Sequence, residues 1–160
     1  MSATRYRLFC AAAPGLEPLL EQELLRLDAA YGLGLSGTTQ QAGGVDTQVD
    51  SQGLWQIACR SRLAESMRVR IGRFEARRFD QLEAGVRKLP FHAFLPPGPV
   101  PAVHAVCHKS AMYHSGAVAE RVAAVIATGQ AKRKGVPDGR PMPAVHVRLE
   151  RDQVQVSVDA

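Results

Sequence analysis

Apolar residues along this chain change their period in a readable order. Tyr6 to Ala13 is a short apolar run halted by Pro14-Gly15, the pattern of a buried strand followed by a turn. Leu16, Leu19, Leu20, Leu24 and Leu27 then recur at helical spacing, with Glu17, Glu21 and Glu23 around the other face. Acids early in a helix also suit the positive end of its dipole. Gly32, Gly34 and Gly37 break the chain, and a weak strand is expected up to Gln41. Gly43-Gly44 reads as a hairpin turn into Val45, Thr47 and Val49, which alternate with polar residues. Leu54, Trp55, Ile57, Ala58 and Leu63 predict a second amphipathic helix, capped near Ser51. Met67, Val69 and Ile71 alternate with Arg68 and Arg70, giving a strand with one apolar and one cationic face. Arg73 breaks that alternation and joins the cationic row only if Gly72 makes a bulge.

The order to this point is β-α-β-β-α-β, a ferredoxin-like arrangement complete by about Phe79. A third helix follows from Phe79 to Leu89. Pro96-Pro97-Gly98-Pro99 then makes a rigid connection to a strand at Ala102 to Lys109. Ser115 to Lys134 reads as a long Ala-rich helix with Val118, Val122, Val125 and Ile126 on one face. Lys132-Arg133-Lys134 before Gly135 suggests a basic C-terminus with a glycine stop. Val145, Val147 and Leu149, a turn near Arg151-Asp152, and Val154, Val156 and Val158 complete the pattern as a hairpin.

Composition narrows the class. Hydrophobic residues are 46% and charged residues 22% of 160, a globular balance long enough for one core or two small ones. No apolar run approaches a membrane span, and the N-terminus makes a poor signal peptide, so a cytoplasmic protein with no membrane partner is expected. Cys10, Cys59 and Cys107 are odd in number and sit in apolar patterns, which predicts reduced, buried thiols. The charge is unevenly placed. Arg60 to Pro90 holds nine Arg or Lys against four acids, whereas the first 59 residues hold three against six. Eight of those nine cations are Arg, whose guanidinium makes bidentate phosphate contacts and stacks on bases. A phosphate-rich partner fits this stripe.

Most catalytic patterns are missing. There is no GxGxxG or Walker-type loop at a strand-helix junction, and no CxxC pair to hold zinc. His104 and His108 would lie about 13 Å apart on one strand face, too far to share an ion, so no metal is assigned. Cys107 and His108 are adjacent on a strand and point to opposite faces, which argues against a thiolate-base pair. The segment Lys109-Ser110-Ala111-Met112-Tyr113-His114 is different. It falls between a strand and a helix N-terminus and combines a cation, two hydroxyls and an aromatic ring, a mix suited to phosphate contact and base stacking. The plainer alternative is a helix cap by Ser115 with Tyr113 packed on the core.

Taken together, LFCAAAPGLEPLLEQEL, GGVDTQVD, CRSRLAESMRVRIGRFEARRFDQLEAGVRKLPFHAFL and HKSAMYHSGAVAERV resemble the N-terminal RNA-binding half of THUMP-containing, SAM-dependent RNA methyltransferases that make N2-methylguanosine. SRLAESMRV and KSAMYHSGA are the most specific pieces. The resemblance implies an α+β fold, with an N-terminal ferredoxin-like βαββαβ subdomain (1–78) packed on a THUMP α-α-β-α-β-β subdomain (79–160). It implies structured rRNA or tRNA as partner, and a candidate RNA-binding set of Lys109, Ser110, Tyr113, His114, Arg121, Lys132, Arg133, Lys134, Arg68 and Arg70. Such enzymes continue into a Rossmann-like catalytic domain with a SAM-binding glycine loop and an Asn/Asp-Pro-Pro-aromatic motif. Neither is in this chain, and Pro96-Pro97 follows Leu95. The expectation is therefore a non-catalytic module with no cofactor of its own. SAM would belong to a methyltransferase domain linked to it or separate from it. A THUMP module of a tRNA thiolation enzyme, or an α+β interaction or small-molecule-sensing domain, are the alternatives.

Overall fold

The structure is a computed structural model that describes residues 3–160. Contacts divide the described residues into two units, 3–70 with Ala160, and 71–159. The division falls inside a strand, earlier than the 78/79 boundary read from the sequence.

The first unit contains β1 (Arg5–Ala11), α1 (Glu17–Tyr31), β2 (Ser36–Gln41), β3 (Gly44–Asp50), α2 (Ser51–Arg60) and the first residues of β4 (Ser66–Glu75). Its strands run antiparallel in the order β2-β3-β1-β4, with Leu8 opposite both Thr47 and Val69. Element order and strand order are those of a ferredoxin-like unit. Leu8, Cys10, Val45, Val49 and Val69 of the sheet are buried, as are Leu20, Leu24 and Ile57 of the helices. Each fully buried Leu or Ile contributes about 1.5–3 kcal/mol. Gly44 stands where β3 approaches β1 too tightly for a side chain, since a Cβ there would lie 2.1 Å from the Cys10 carbonyl oxygen. The cap of α2 is Asp50 rather than Ser51. Its Oδ1 accepts the Gly53 N–H at 2.8 Å, which satisfies one of the helix's free donors. Cys59, in the last turn of α2, is exposed, not buried; Cys10 is buried and Cys107 half-buried. Burial, then the nearby Asp46 and Glu23 charges, push the Cys10 thiol up to about 12.

The second unit continues with α3 (Phe79–Arg87), a 3-10 turn at Phe91–Ala93, β5 (Val103–His108), α4 (Ser115–Ala131), β6 (Val145–Glu150) and β7 (Gln153–Asp159). The second helix expected of an α-α-β-α-β-β unit is thus a single 3-10 turn. β5 pairs parallel to β6, and β6 pairs antiparallel to β7 through a two-residue turn at Arg151-Asp152. Both turn residues have positive φ, 49° and 64°, the conformation that matches the twist of a tight hairpin. Val145, Val147, Leu149, Val154, Val156 and Val158 form the strand side of the core, and Leu82, Val86, Val118, Val122 and Ile126 the helix side. α4 ends at Ala131, before the Lys132-Arg133-Lys134 run and without a glycine cap. Gly135 serves another purpose: a Cβ there would meet the Pro97 ring at 2.9 Å.

Candidate nucleic-acid interface

At one end of the second unit, the β4–α3 connection, the β5–α4 connection and the β6–β7 turn are hydrogen-bonded together through Asp152. Its carbonyl accepts the Ala76 N–H at 2.9 Å. Its carboxylate accepts the Ala111 N–H at 2.8 Å on one oxygen and the Arg77 Nε–H at 3.0 Å on the other. Its own N–H donates to Ser110 Oγ at 3.1 Å, and that hydroxyl donates to the His108 carbonyl, also at 3.1 Å. The His108 carbonyl takes a second bond from the Arg151 N–H. The Ala111 amide, and after it Arg77, hold the Asp152 carboxyl below the usual carboxylate range.

This scaffold fixes the segment singled out in the sequence. Lys109 is held at φ 47°, a left-handed conformation that a lysine rarely adopts. Met112 is buried in the core and pins the segment from below. Tyr113 is 77% exposed, its ring 5.2 Å from that of His114. The cap position of α4 is His114, not Ser115, and no side chain bonds the helix's first N–H groups. Neither Tyr113 in the core nor Ser115 as a cap is therefore found. Lys109 and Arg151 are exposed and have no acidic partner among the described residues. Two open cations, a third guanidinium aligned by Asp152, an exposed ring pair and a helix N-terminus lie on or beside the connections that Asp152 ties together. Together they offer charge and π-faces to a phosphate-bearing strand.

The other sequence candidates lie elsewhere or are already engaged. Ser110 spends its hydroxyl on the loop itself, as described. Arg121 bonds Glu83 at 3.1 Å and stacks 4.9 Å from the Phe79 ring centre, which ties α4 to α3. Lys132, Arg133 and Lys134 follow the far end of α4, which is about 25 Å long at its 17 residues. They are not part of the Asp152 cluster. Lys132 and Lys134 are exposed, but Arg133 donates to the carbonyls of Leu95 and His92 and to Gln130 Oε1. It closes the end of the helix onto the 3-10 turn. In the first unit, Arg70 Nε lies 2.8 Å from Asp46, with its guanidinium 4.7 Å from the Phe9 ring centre. Arg68 stands opposite Phe9, half-buried, its Nε shielded from solvent. By strand alternation Arg73 falls on the other face from Arg68 and Arg70.

The sequence reading did not single out Arg77, Arg151 and Asp152, which the structure joins to the Lys109–His114 segment. The turn at Arg151-Asp152 was visible; its partners 41 and 75 residues away were not. His104 and His146 stack at 5.5 Å, and His146 Nε2 lies 2.8 Å from Asp159. No group of His, Cys, Asp and Glu among the described residues could hold a metal ion. No helix among them is long and apolar enough to cross a membrane.

Residues 7–69 match the RlmL ferredoxin-like domain. Over 159 residues, 97% of the chain, the sequence is 30% identical to ribosomal RNA large subunit methyltransferase K/L of Pseudomonas syringae. The chain spans about a fifth of the length of the curated relatives it matches. Among solved structures, 98% of the chain superposes on 40% of a predicted N6-adenine-specific DNA methylase from Listeria monocytogenes, with TM-score 0.83 and 23% identity. A 4-thiouridine synthetase solved with RNA and ATP matches 97% of the chain over 42% of its own, with TM-score 0.53 and 12% identity. At these identities the structural likeness is one of fold.

Proposed function

From a chain related to the rRNA methyltransferases K/L and carrying the RlmL ferredoxin-like domain, we propose an RNA-binding module. It anchors structured rRNA or tRNA for a SAM-dependent guanine-N2 methyltransferase domain, linked to it or separate, and residues 79–160 act as its THUMP part. The observation that carries this reading is the surface around Asp152, where Lys109, Arg151, Tyr113 and His114 are exposed together on a hydrogen-bonded scaffold. Cations there neutralise phosphates without reading sequence, and the rings receive unpaired bases. The chemistry of methyl transfer lies outside these residues, so isothermal titration of the chain with SAM gives no binding heat. The module reading is tested by filter binding of a structured rRNA or tRNA fragment across a salt series. Replacing Lys109 and Arg151 with Gln should weaken binding and make the salt slope shallower by roughly two units, about one per lost phosphate contact. Wild-type and variant curves that superimpose would place the RNA elsewhere.

A further inference from the structure

A cleft on the helical side of the first unit holds unassigned chemistry. It lies between α1, the end of α2 and the residues that follow, with a volume of about 590 Å³. Leu27, Ala30 and Leu63 give it an apolar floor, and Arg26, Arg60 and Arg62 supply the cations. None of the three guanidiniums is ion-paired among the described residues. Arg26 reaches only the Gln22 carbonyl at 3.4 Å, and Arg60 the neutral Gln56 Oε1 at 2.7 Å. The single acid in the cleft, Glu23, is committed to the connection after α2. Its carboxylate accepts the Ser61 hydroxyl and the N–H groups of Arg62, at 3.1 Å, and Leu63, at 3.4 Å. Glu23 shapes the loop that presents Arg62, and the cleft keeps an excess of positive charge.

Arg60 adds a second feature. Its guanidinium lies 3.7 Å from the centre of the Tyr31 ring, and Tyr31 is still 51% exposed. Tyrosine rings and guanidinium planes are the surfaces on which unstacked bases rest. Two further arginines beside such a platform, over an apolar floor, select a flat ring joined to phosphate. An open cleft of this kind suits a strand that passes through it better than a metabolite that must be enclosed.

We infer that this cleft is a second RNA contact, taking one unpaired nucleotide with its base on the Arg60–Tyr31 stack and its flanking phosphates on Arg26 and Arg62. This rests on the RNA-binding reading above, but it uses other residues of the other unit. The chain supplies its own reporter. Trp55, the single tryptophan, is 69% exposed on α2 one helical turn before Cys59, which lines the cleft.

The test is a titration of the chain with a hexa-adenylate RNA, reading Trp55 emission, alongside filter binding of the same oligonucleotide. The wild type should give a saturable change. Replacing Arg60 and Arg62 with Gln should weaken it about tenfold or more, and Arg60→Lys, which keeps the charge but not the plane, by about threefold. Filter-detected binding with silent Trp55, or with no effect of the cleft substitutions, would overturn the cleft and leave the module reading standing. No binding of the oligonucleotide in either assay would overturn the inference, whereas the module reading stands or falls on the structured RNA fragments. Equal affinity for inorganic polyphosphate or AMP would mean a site for free anions or nucleotides, and would also overturn the inference.

Discussion

Asp152 and Arg77 meet across 75 residues of sequence, with Oδ2 and Nε 3.0 Å apart. The other carboxylate oxygen of Asp152 is held by the Ala111 amide. One side chain therefore sets the position of two connections that carry cations.

That arrangement predicts a pH signature. The Asp152 carboxyl is held below its ordinary value, first by the Ala111 N–H and then by Arg77. A carboxylate depressed in the folded state stabilises it above the unfolded value, near 3.9, and that contribution is lost as pH falls through the lower folded value. Asp152→Asn keeps a residue that tolerates φ 64° but removes the charge. Its melting temperature should lie below wild type at pH 7, and the gap should close as pH drops below about 4. A gap that is constant down to pH 2.5 would assign the loss to something other than the carboxylate.

Tyr113 should behave as a stacking residue. It is exposed, so Tyr113→Ala should leave thermal stability unchanged. RNA affinity should fall by about 1–3 kcal/mol with no change in salt slope, because a ring releases no counterions. A shallower slope in this variant would contradict a stacking role.

Arg133 should separate from the lysines beside it. Its bonds to the Leu95 and His92 carbonyls close the end of α4, so Arg133→Gln should cost about 1–3 kcal/mol of stability in urea unfolding. Replacing Lys132 and Lys134 with Gln should leave stability within about 0.5 kcal/mol of wild type. Equal effects from both changes would mean that the basic run acts only as a solvated helix end.

Two glycines should respond in opposite directions. Gly44→Ala puts a Cβ 2.1 Å from the Cys10 carbonyl oxygen, a backbone atom that cannot swing aside, and should destabilise by about 3 kcal/mol or more. Gly129 in α4 has nothing within 4 Å of an added Cβ, so Gly129→Ala should stabilise by roughly 0.5–1 kcal/mol. Urea midpoints of the two variants, measured together, check both signs.

Features carried by near neighbours were legible in the sequence. The change from alternation at Val45–Val49 to helical spacing in α2, and back at Met67–Val69, was enough to give the ferredoxin-like order, because each period reports one buried face. The Lys109–His114 segment stood out for the same reason: strand, cation, ring and helix start are contiguous. Features set by distant partners were not legible. Nothing near Lys132 tells that α4 stops at Ala131, since the Arg133 guanidinium turns to carbonyls 38 and 41 residues earlier. Nor does the apolar pattern around Cys59 show which side of α2 faces outward. Asp152 looked like a turn residue, and its role depends on an amide and a guanidinium supplied by other connections.

If the Lys109 surface binds RNA as proposed, its left-handed backbone makes it a compromise between folding and binding. A lysine held at φ 47° costs roughly 1–2 kcal/mol relative to glycine at the same place. Drift toward glycine would therefore be rewarded by stability and opposed only by the loss of the cation. The persistence of lysine at a position where the backbone prefers glycine would mark selection for charge, and this can be read from any set of diverged relatives without an assay.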